Sequence, residues 1–142
     1  MRNGWTLVET VITLFVIALM TTLAVPRLGD WLDRTAVRRA ASEAAAFYAA
    51  ARYRAVMRGT RVRVEFGAHR MTALFERDRD SVFLDRPGPA AEGVQLSLSR
   101  AVVRIYPNGI GAGGANTSLV FRRGRYEERI TLSRLGRLKR WR

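Results

Sequence analysis

Glu9 has the most unusual chemical setting in this 142-residue chain. It is the only charged residue between Leu7 and Val25, a run dominated by Val, Ile, Leu, Phe, Ala and Met. A carboxylate in such a run is costly to bring into a bilayer and by default implies a partner. The second concentration of chemistry lies at the other end. Residues 122–142 carry nine basic and two acidic side chains, +7 of the chain's +13. Arg122, Arg123, Arg125, Arg134, Arg137, Lys139, Arg140 and Arg142 are the members that could neutralise phosphates, with Trp141 or Tyr126 available to stack on bases. Such a block points to nucleic acid, lipid headgroups or acidic protein, the plain alternative being a solvated arginine-rich surface.

Little else reads as reactive. There is no cysteine, so neither a disulfide framework nor thiolate chemistry is open to the chain. The single histidine, His69, cannot build a metal site alone and reads as a turn or surface residue. Asp78 and Asp80 fit a solvated loop better than a pair of catalytic carboxylates. The glycine-rich stretch 107–116 has no Gly-Lys-Ser/Thr after it, so a connection between strands is expected rather than a phosphate cradle. The expectation is a protein that is not an enzyme and that holds no cofactor or metal.

The elements around these residues fall into two halves. The 19 residues from Leu7 to Val25 reach roughly 28 Å as a helix, close to the ~30 Å hydrocarbon core of a bilayer. A secretory signal would need a small-residue cleavage site, and Thr22-Leu-Ala-Val-Pro26 offers none of the A-x-A kind. A plain membrane anchor fits the length but leaves Glu9 without a purpose. After Pro26, where a kink can be accommodated, Arg27–Arg58 reads as amphipathic helix. Val37, Ala40, Ala41, Ala44, Phe47, Tyr48, Ala51 and Ala55 mark one face, and Gly59 follows as a cap. Arg38, Arg39, Ser42, Glu43, Arg52 and Arg54 fall mostly elsewhere on it. The two halves join into one helix from about Thr6 to Arg58.

Beyond Gly59 the period changes to two. Arg61–Phe66, Met71–Phe75, Val82–Leu84, Val94–Leu98, Val102–Tyr106, Leu119–Arg122 and Arg129–Leu132 read as short strands. Turns are expected at Gly67–His69 and Gly124-Arg125, and the strongest turn signals lie in Arg86–Gly93. Leu135–Trp141 closes the chain as a final strand or strand-like tail. A single extended strand would put Arg137 and Lys139 on one face and Arg134, Arg140 and Arg142 on the other.

Gly4-Trp-Thr-Leu-Val-Glu9, followed by the apolar run, resembles the processing site of type IV pilins and type II secretion pseudopilins. The resemblance implies a leader at 1–4 and cleavage after Gly4 by a prepilin peptidase/N-methyltransferase, with Trp5 as the methylated N-terminus. It also implies that Glu9 neutralises the N-terminal amine of a neighbouring subunit during assembly. An amine and a carboxylate in lipid remove each other's uncompensated charge, so such a pair would fix the register between subunits. Trp5 replaces the usual Phe, and Thr10 the usual aliphatic residue.

The C-terminal half narrows the resemblance. Ile105-Tyr-Pro-Asn-Gly-Ile-Gly-Ala-Gly-Gly, then Thr117–Phe121, then Ile130–Lys139, is similar to the GspH/FimT family, with Lys139 where its closing element usually has Arg. The implied fold is α+β, a long N-terminal helix packed on two small antiparallel sheets. The implied domains are a membrane helix over 5–28, an amphipathic helix over 29–58 and a β-rich domain over 59–142. The implied role is a structural minor pseudopilin of a type II secretion pseudopilus or type IV pilus, anchored in the bacterial inner membrane with a periplasmic C-terminal domain. Its partners would be other pilin or pseudopilin subunits. The alternative is a pilus-associated receptor for double-stranded DNA, taking DNA up through the basic C-terminal residues.

Overall fold

The structure, a computed structural model, describes residues 6–76, 81–112 and 116–141, with the backbone alone described at 23–26. Its first element is one helix of 52 residues, α1 (Leu7–Arg58), about 78 Å long and continuous through Pro26. Thr6 caps its start, its hydroxyl accepting the Glu9 amide at 3.3 Å and satisfying one of the donors a helix start leaves unpaired. Gly59 ends it in the left-handed conformation, φ 58°.

The two halves of α1 meet different surroundings. Every residue from Leu7 to Thr22 is exposed, so none of the described protein covers this stretch. The helix is long and apolar enough here to cross a membrane. From Val37 onward one face is covered, and all eight residues of the small apolar stripe are buried. Tyr48 is among them, and burial pushes its phenol pKa up.

Two four-stranded antiparallel sheets cover that stripe. The first contains β1 (Val62–Phe66), β2 (Arg70–Phe75), β3 (Ser81–Pro87) and β5 (Val102–Ile105), ordered β3-β2-β1-β5. The second contains β4 (Gln95–Leu98), β6 (Thr117–Arg123), β7 (Tyr126–Leu132) and β8 (Leu138–Trp141), ordered β4-β6-β7-β8. The chain therefore leaves the first sheet for β4, returns for β5, and crosses again through the glycine-rich connection. Alternation places Val62, Val64 and Phe66 of β1 inward, and Leu119, Phe121, Ile130 and Leu132 do the same for the second sheet. Helix and sheets share one core, where Phe47 meets Phe66 edge to face with centroids 6.3 Å apart.

One expectation is corrected here. Residues 86–93 are not simply a turn: β3 runs on to Pro87, and Pro89–Glu92 forms a short 3₁₀ helix. Proline is tolerated at Pro87 because β3 is an edge strand with no further neighbour to bond. Gly88 between them is extended, and a Cβ there would lie 2.3 Å from the Ala68 carbonyl oxygen, so the chain reverses through the 3₁₀ helix and the left-handed Gly93. Arg70 clips β2 to β3 through Asp85, Nε to Oδ1 2.8 Å, and this bond holds the Asp85 carboxyl below the usual carboxylate range.

The alanine stripe makes a stability prediction. Ala51 is fully buried between helix and sheets, whereas Ala49 is exposed. Ala51→Leu should cost about 1–3 kcal/mol by overpacking. Ala49→Leu should stay within about 0.5 kcal/mol. Denaturation of the full chain in detergent micelles, followed by circular dichroism, separates the two.

Candidate functional site

On the apolar half of α1, the polar side chains are almost all accounted for locally. The hydroxyls of Thr10, Thr13, Thr21 and Thr22 donate to carbonyls four residues earlier, at 3.3, 2.8, 2.8 and 2.8 Å. These internal bonds would satisfy the threonine hydroxyls in an apolar medium. Glu9 has no such resolution. Its carboxylate is exposed on the first turn and has no ion pair among the described residues. Among the described residues the helix thus presents one anionic group without a counter-charge on an otherwise apolar surface. Gly4 and Trp5 lie outside the described residues.

The basic C-terminal residues do not form one patch. Positions along α1 measure their separation. At the end nearer the apolar run, the β6–β7 turn is tied to the helix by two ion pairs. Arg125 pairs with Asp30, and Arg123 Nε lies 2.8 Å from Asp33 Oδ1. Arg123 also donates to the Glu92 carbonyl, and Arg122 pairs with Glu127 at 2.6 Å. At the far end, Arg134 and Arg137 sit on the β7–β8 turn, exposed and without side-chain partners among the described residues. Asp30 and Arg52, which mark the two ends, are 22 residues apart, about 33 Å of helix.

β8 itself alternates. Lys139 and Trp141 face outward, with the ammonium 3.7 Å from the indole ring centroid and the indole N–H donating to Thr131 at 2.9 Å. Arg140 faces inward, where Nε lies 2.7 Å from Oε1 of Glu128 and Nη1 reaches Ser42 of α1 at 3.1 Å. Glu128 is buried, and this guanidinium is the cation that compensates it. Arg142 lies outside the described residues, as do Asp78 and Asp80.

Arg52, placed on the polar side of α1 by its spacing, has a role the sequence did not disclose. Its Nε donates to the Gly109 carbonyl at 2.9 Å and its Nη1 to the Gly136 carbonyl at 3.5 Å. It thereby joins the glycine-rich loop to the β7–β8 turn, two stretches 27 residues apart. The Gly111 amide donates to the Arg134 carbonyl at 2.7 Å, and the Arg134 amide to Asn116 Oδ1 at 2.8 Å. Gly136 has φ 75°, and a Cβ there would lie 2.7 Å from Arg52 Nε. Glycine satisfies both constraints at once. The turn that carries Arg134 and Arg137 is therefore held in place rather than free.

A long N-terminal helix with an apolar first half, laid across two antiparallel sheets, defines a pilin-like fold. The crystal structures of the type IV minor pilin FimU from Pseudomonas aeruginosa have it. One, in space group P21, superposes with a TM-score of 0.64 at 14% identity, covering 75% of this chain and 88% of that one. A second, in space group P65, gives 0.61 at 13% identity, covering 74% and 92%. The model of the family described as type II transport protein GspH matches residues 40–136, well over half of the sequence. The chain belongs to the GspH family. No curated protein sequence matches it. The family match takes in the packed half of α1 from Ala40 and the strands through β7, with the basic residues Arg122–Arg134, and leaves out Glu9 and the last residues from Arg137 onward.

The split in the basic tail predicts opposite behaviour for adjacent residues. Arg140→Ala leaves the buried Glu128 carboxylate without its cation and should cost about 3 kcal/mol. Lys139→Ala, on the exposed face, should change stability by less than about 0.5 kcal/mol. Equal losses in thermal denaturation would contradict the inward placement of Arg140.

Proposed function

We propose that the protein is a minor pseudopilin, a non-catalytic structural subunit of a type II secretion pseudopilus or type IV pilus. Residues Leu7–Val25 anchor it in the bacterial inner membrane, and the sheet domain lies on the periplasmic side. A prepilin peptidase/N-methyltransferase cuts between Gly4 and Trp5, and the subunit then joins other pilin or pseudopilin subunits at filament initiation or at the tip. The observation that carries this reading is Glu9, a carboxylate with no partner among the described residues on a helix surface that none of them covers. A neighbour's N-terminal amine, brought to the same depth, supplies the missing cation. Because neither charge is tolerated alone in hydrocarbon, only one axial register between two such helices is favoured. Assembly chemistry here is charge compensation, with no bond made or broken beyond the initial cleavage and the N-methylation of Trp5.

Glu9→Gln keeps the side chain's size and removes its charge. The variant should accumulate in membranes at the wild-type level, while its recovery in sheared filaments falls at least about tenfold, for a pair worth more than about 1.4 kcal/mol. Equal recovery of the two proteins in filaments would overturn the role assigned to Glu9.

A second reading is favoured by one observation, that Arg134 and Arg137 are exposed and have no side-chain partner among the described residues, on a turn braced by Arg52. Under it, this end of the domain receives double-stranded DNA for uptake in natural transformation, with Lys139 and Trp141 extending the binding face along the outer side of the second sheet. Arg122, Arg123, Arg125 and Arg140 are engaged in ion pairs and would add less than their number suggests. Fluorescence anisotropy of labelled DNA across a salt series tests this. The Arg134→Gln/Arg137→Gln variant should bind more weakly, with a log–log salt slope shallower by about 1.8, some 0.9 for each phosphate it no longer neutralises. An unchanged slope, or no binding by the wild type at low salt, would remove the reading.

A further inference from the structure

The β6–β7 turn is tied to α1 immediately beyond the apolar run. Asp30 and Asp33, which hold Arg125 and Arg123, are five and eight residues past Val25. At 1.5 Å per residue they stand about 8 and 12 Å from the end of that run along the helix axis. The headgroup region on one side of a bilayer occupies roughly 5–8 Å beyond the hydrocarbon. If Leu7–Val25 spans, Asp30 and its partner Arg125 at the tip of this hairpin stand at the outer edge of the headgroups, and Asp33 with Arg123 about 4 Å beyond it, within reach of a long arginine side chain.

The side chains at that height suit the interface. On α1, Arg27, Leu28, Trp31, Leu32 and Arg34 are exposed, Leu28 by 59% and Trp31 by 62%. Trp at the membrane boundary, with arginines extending toward headgroups, is the side-chain mixture that settles there. The hairpin adds Arg122, Arg123 and Arg125, and the collar's five arginines stand against Asp30, Asp33 and Glu127, a balance of +2. The helix alone would present two carboxylates to lipid phosphates. The hairpin's ion pairs neutralise them and, since a guanidinium carries five N–H donors, leave donors on the exposed Arg122 and Arg125 side chains for further acceptors.

We propose that this collar is a docking surface for the phosphate headgroups of anionic lipids, and that it seats the sheet domain on the membrane while the subunit is anchored and unassembled. The proposal rests on the reading of Leu7–Val25 as a bilayer span. Continuity with that span identifies the occupant as lipid, because the anchor keeps the collar beside the membrane surface, while the charge of the headgroups decides how closely the sheet domain is drawn down onto it. It also accounts for exposed Leu28 and Trp31, which no part of the described chain covers.

The test uses the full chain reconstituted into vesicles of pure phosphatidylcholine or of phosphatidylcholine with 30% phosphatidylglycerol (about one lipid in three charged), each with a trace of headgroup-nitroxide lipid. The chain has no cysteine, so a single one can carry a bimane label. Gln95→Cys reports from beside Arg122, its cross-strand partner, and Leu135→Cys from the far turn. Quenching at position 95 should exceed that at position 135 at least about fivefold in the anionic vesicles, and should fall toward it in pure phosphatidylcholine. Arg122→Gln/Arg125→Gln should reproduce that fall. Equal quenching at the two positions, or no dependence on phosphatidylglycerol in the otherwise unaltered chain, overturns the proposal. Trp31 fluorescence, in a Trp5→Phe/Trp141→Phe background, reports the premise separately. Quenching of Trp31 without quenching at position 95 rejects the collar and keeps the span. No quenching of Trp31 rejects the span and the collar with it.

Discussion

The small-residue face of α1 is the constraint on which the sheet domain depends. Ala40, Ala41, Ala44, Ala51 and Ala55 leave the helix backbone close to two sheets at once, and larger residues enter only at Val37, Phe47 and Tyr48. Each sheet is apolar on the face it turns to the helix, so neither would be stable in water without it. Where a polar group enters this interface it is fully answered. Glu128, Arg140 and Ser42 close one network between β7, β8 and α1, and no buried side-chain nitrogen or oxygen among the described residues lacks a partner. The same helix then continues through Pro26 into a stretch that the protein itself leaves bare. One element thus satisfies two opposite demands in sequence, packing in its second half and exposure in its first.

Because α1 is straight-chain geometry at 1.5 Å per residue, it also works as a scale for everything attached to it. Asp30 and Asp33 fix the β6–β7 turn at one end, Ser42 meets the end of β8 in the middle, and Arg52 holds the glycine-rich loop and the β7–β8 turn at the other. A cluster that is continuous in sequence is therefore distributed over the length of the domain. The arginines near the apolar run pair with the helix's acids, while Arg134 and Arg137 at the far end have no side-chain partner among the described residues. The two ends of the domain therefore differ in charge state: paired arginines beside the apolar run, and exposed arginines beside Arg52.

Much of this was legible in the residues. The helix stripe, the inward faces of β1 and the second-sheet strands, and the Gly124-Arg125 reversal follow from periods of 3.6 and 2 and from turn chemistry, which are local properties. The apolar run and its single carboxylate are local as well. What the chain could not disclose is which strands share a sheet, since β4 and β5 are adjacent in sequence and belong to different sheets. Residues 86–93 misled because proline and glycine signal a reversal equally well at an edge strand and at a 3₁₀ turn. The partners of the arginines were hidden for the same reason as the sheet order. Arg125 finds Asp30 across 95 positions and Arg140 finds Ser42 across 98, and no spacing rule reaches that far. Asp30 and Asp33, three apart on one helix face just beyond the apolar run, were the one available hint.

The central claim, that this chain is a processed and assembled filament subunit, is tested most directly at its N-terminus. The protein would be recovered from cell membranes and from sheared surface filaments, and its N-terminal peptide read by mass spectrometry. The account predicts a filament-borne peptide that begins at Trp5 and carries an N-methyl group. A filament-borne peptide that begins at Met1, or absence of the protein from filaments in cells that contain it in membranes, would contradict it.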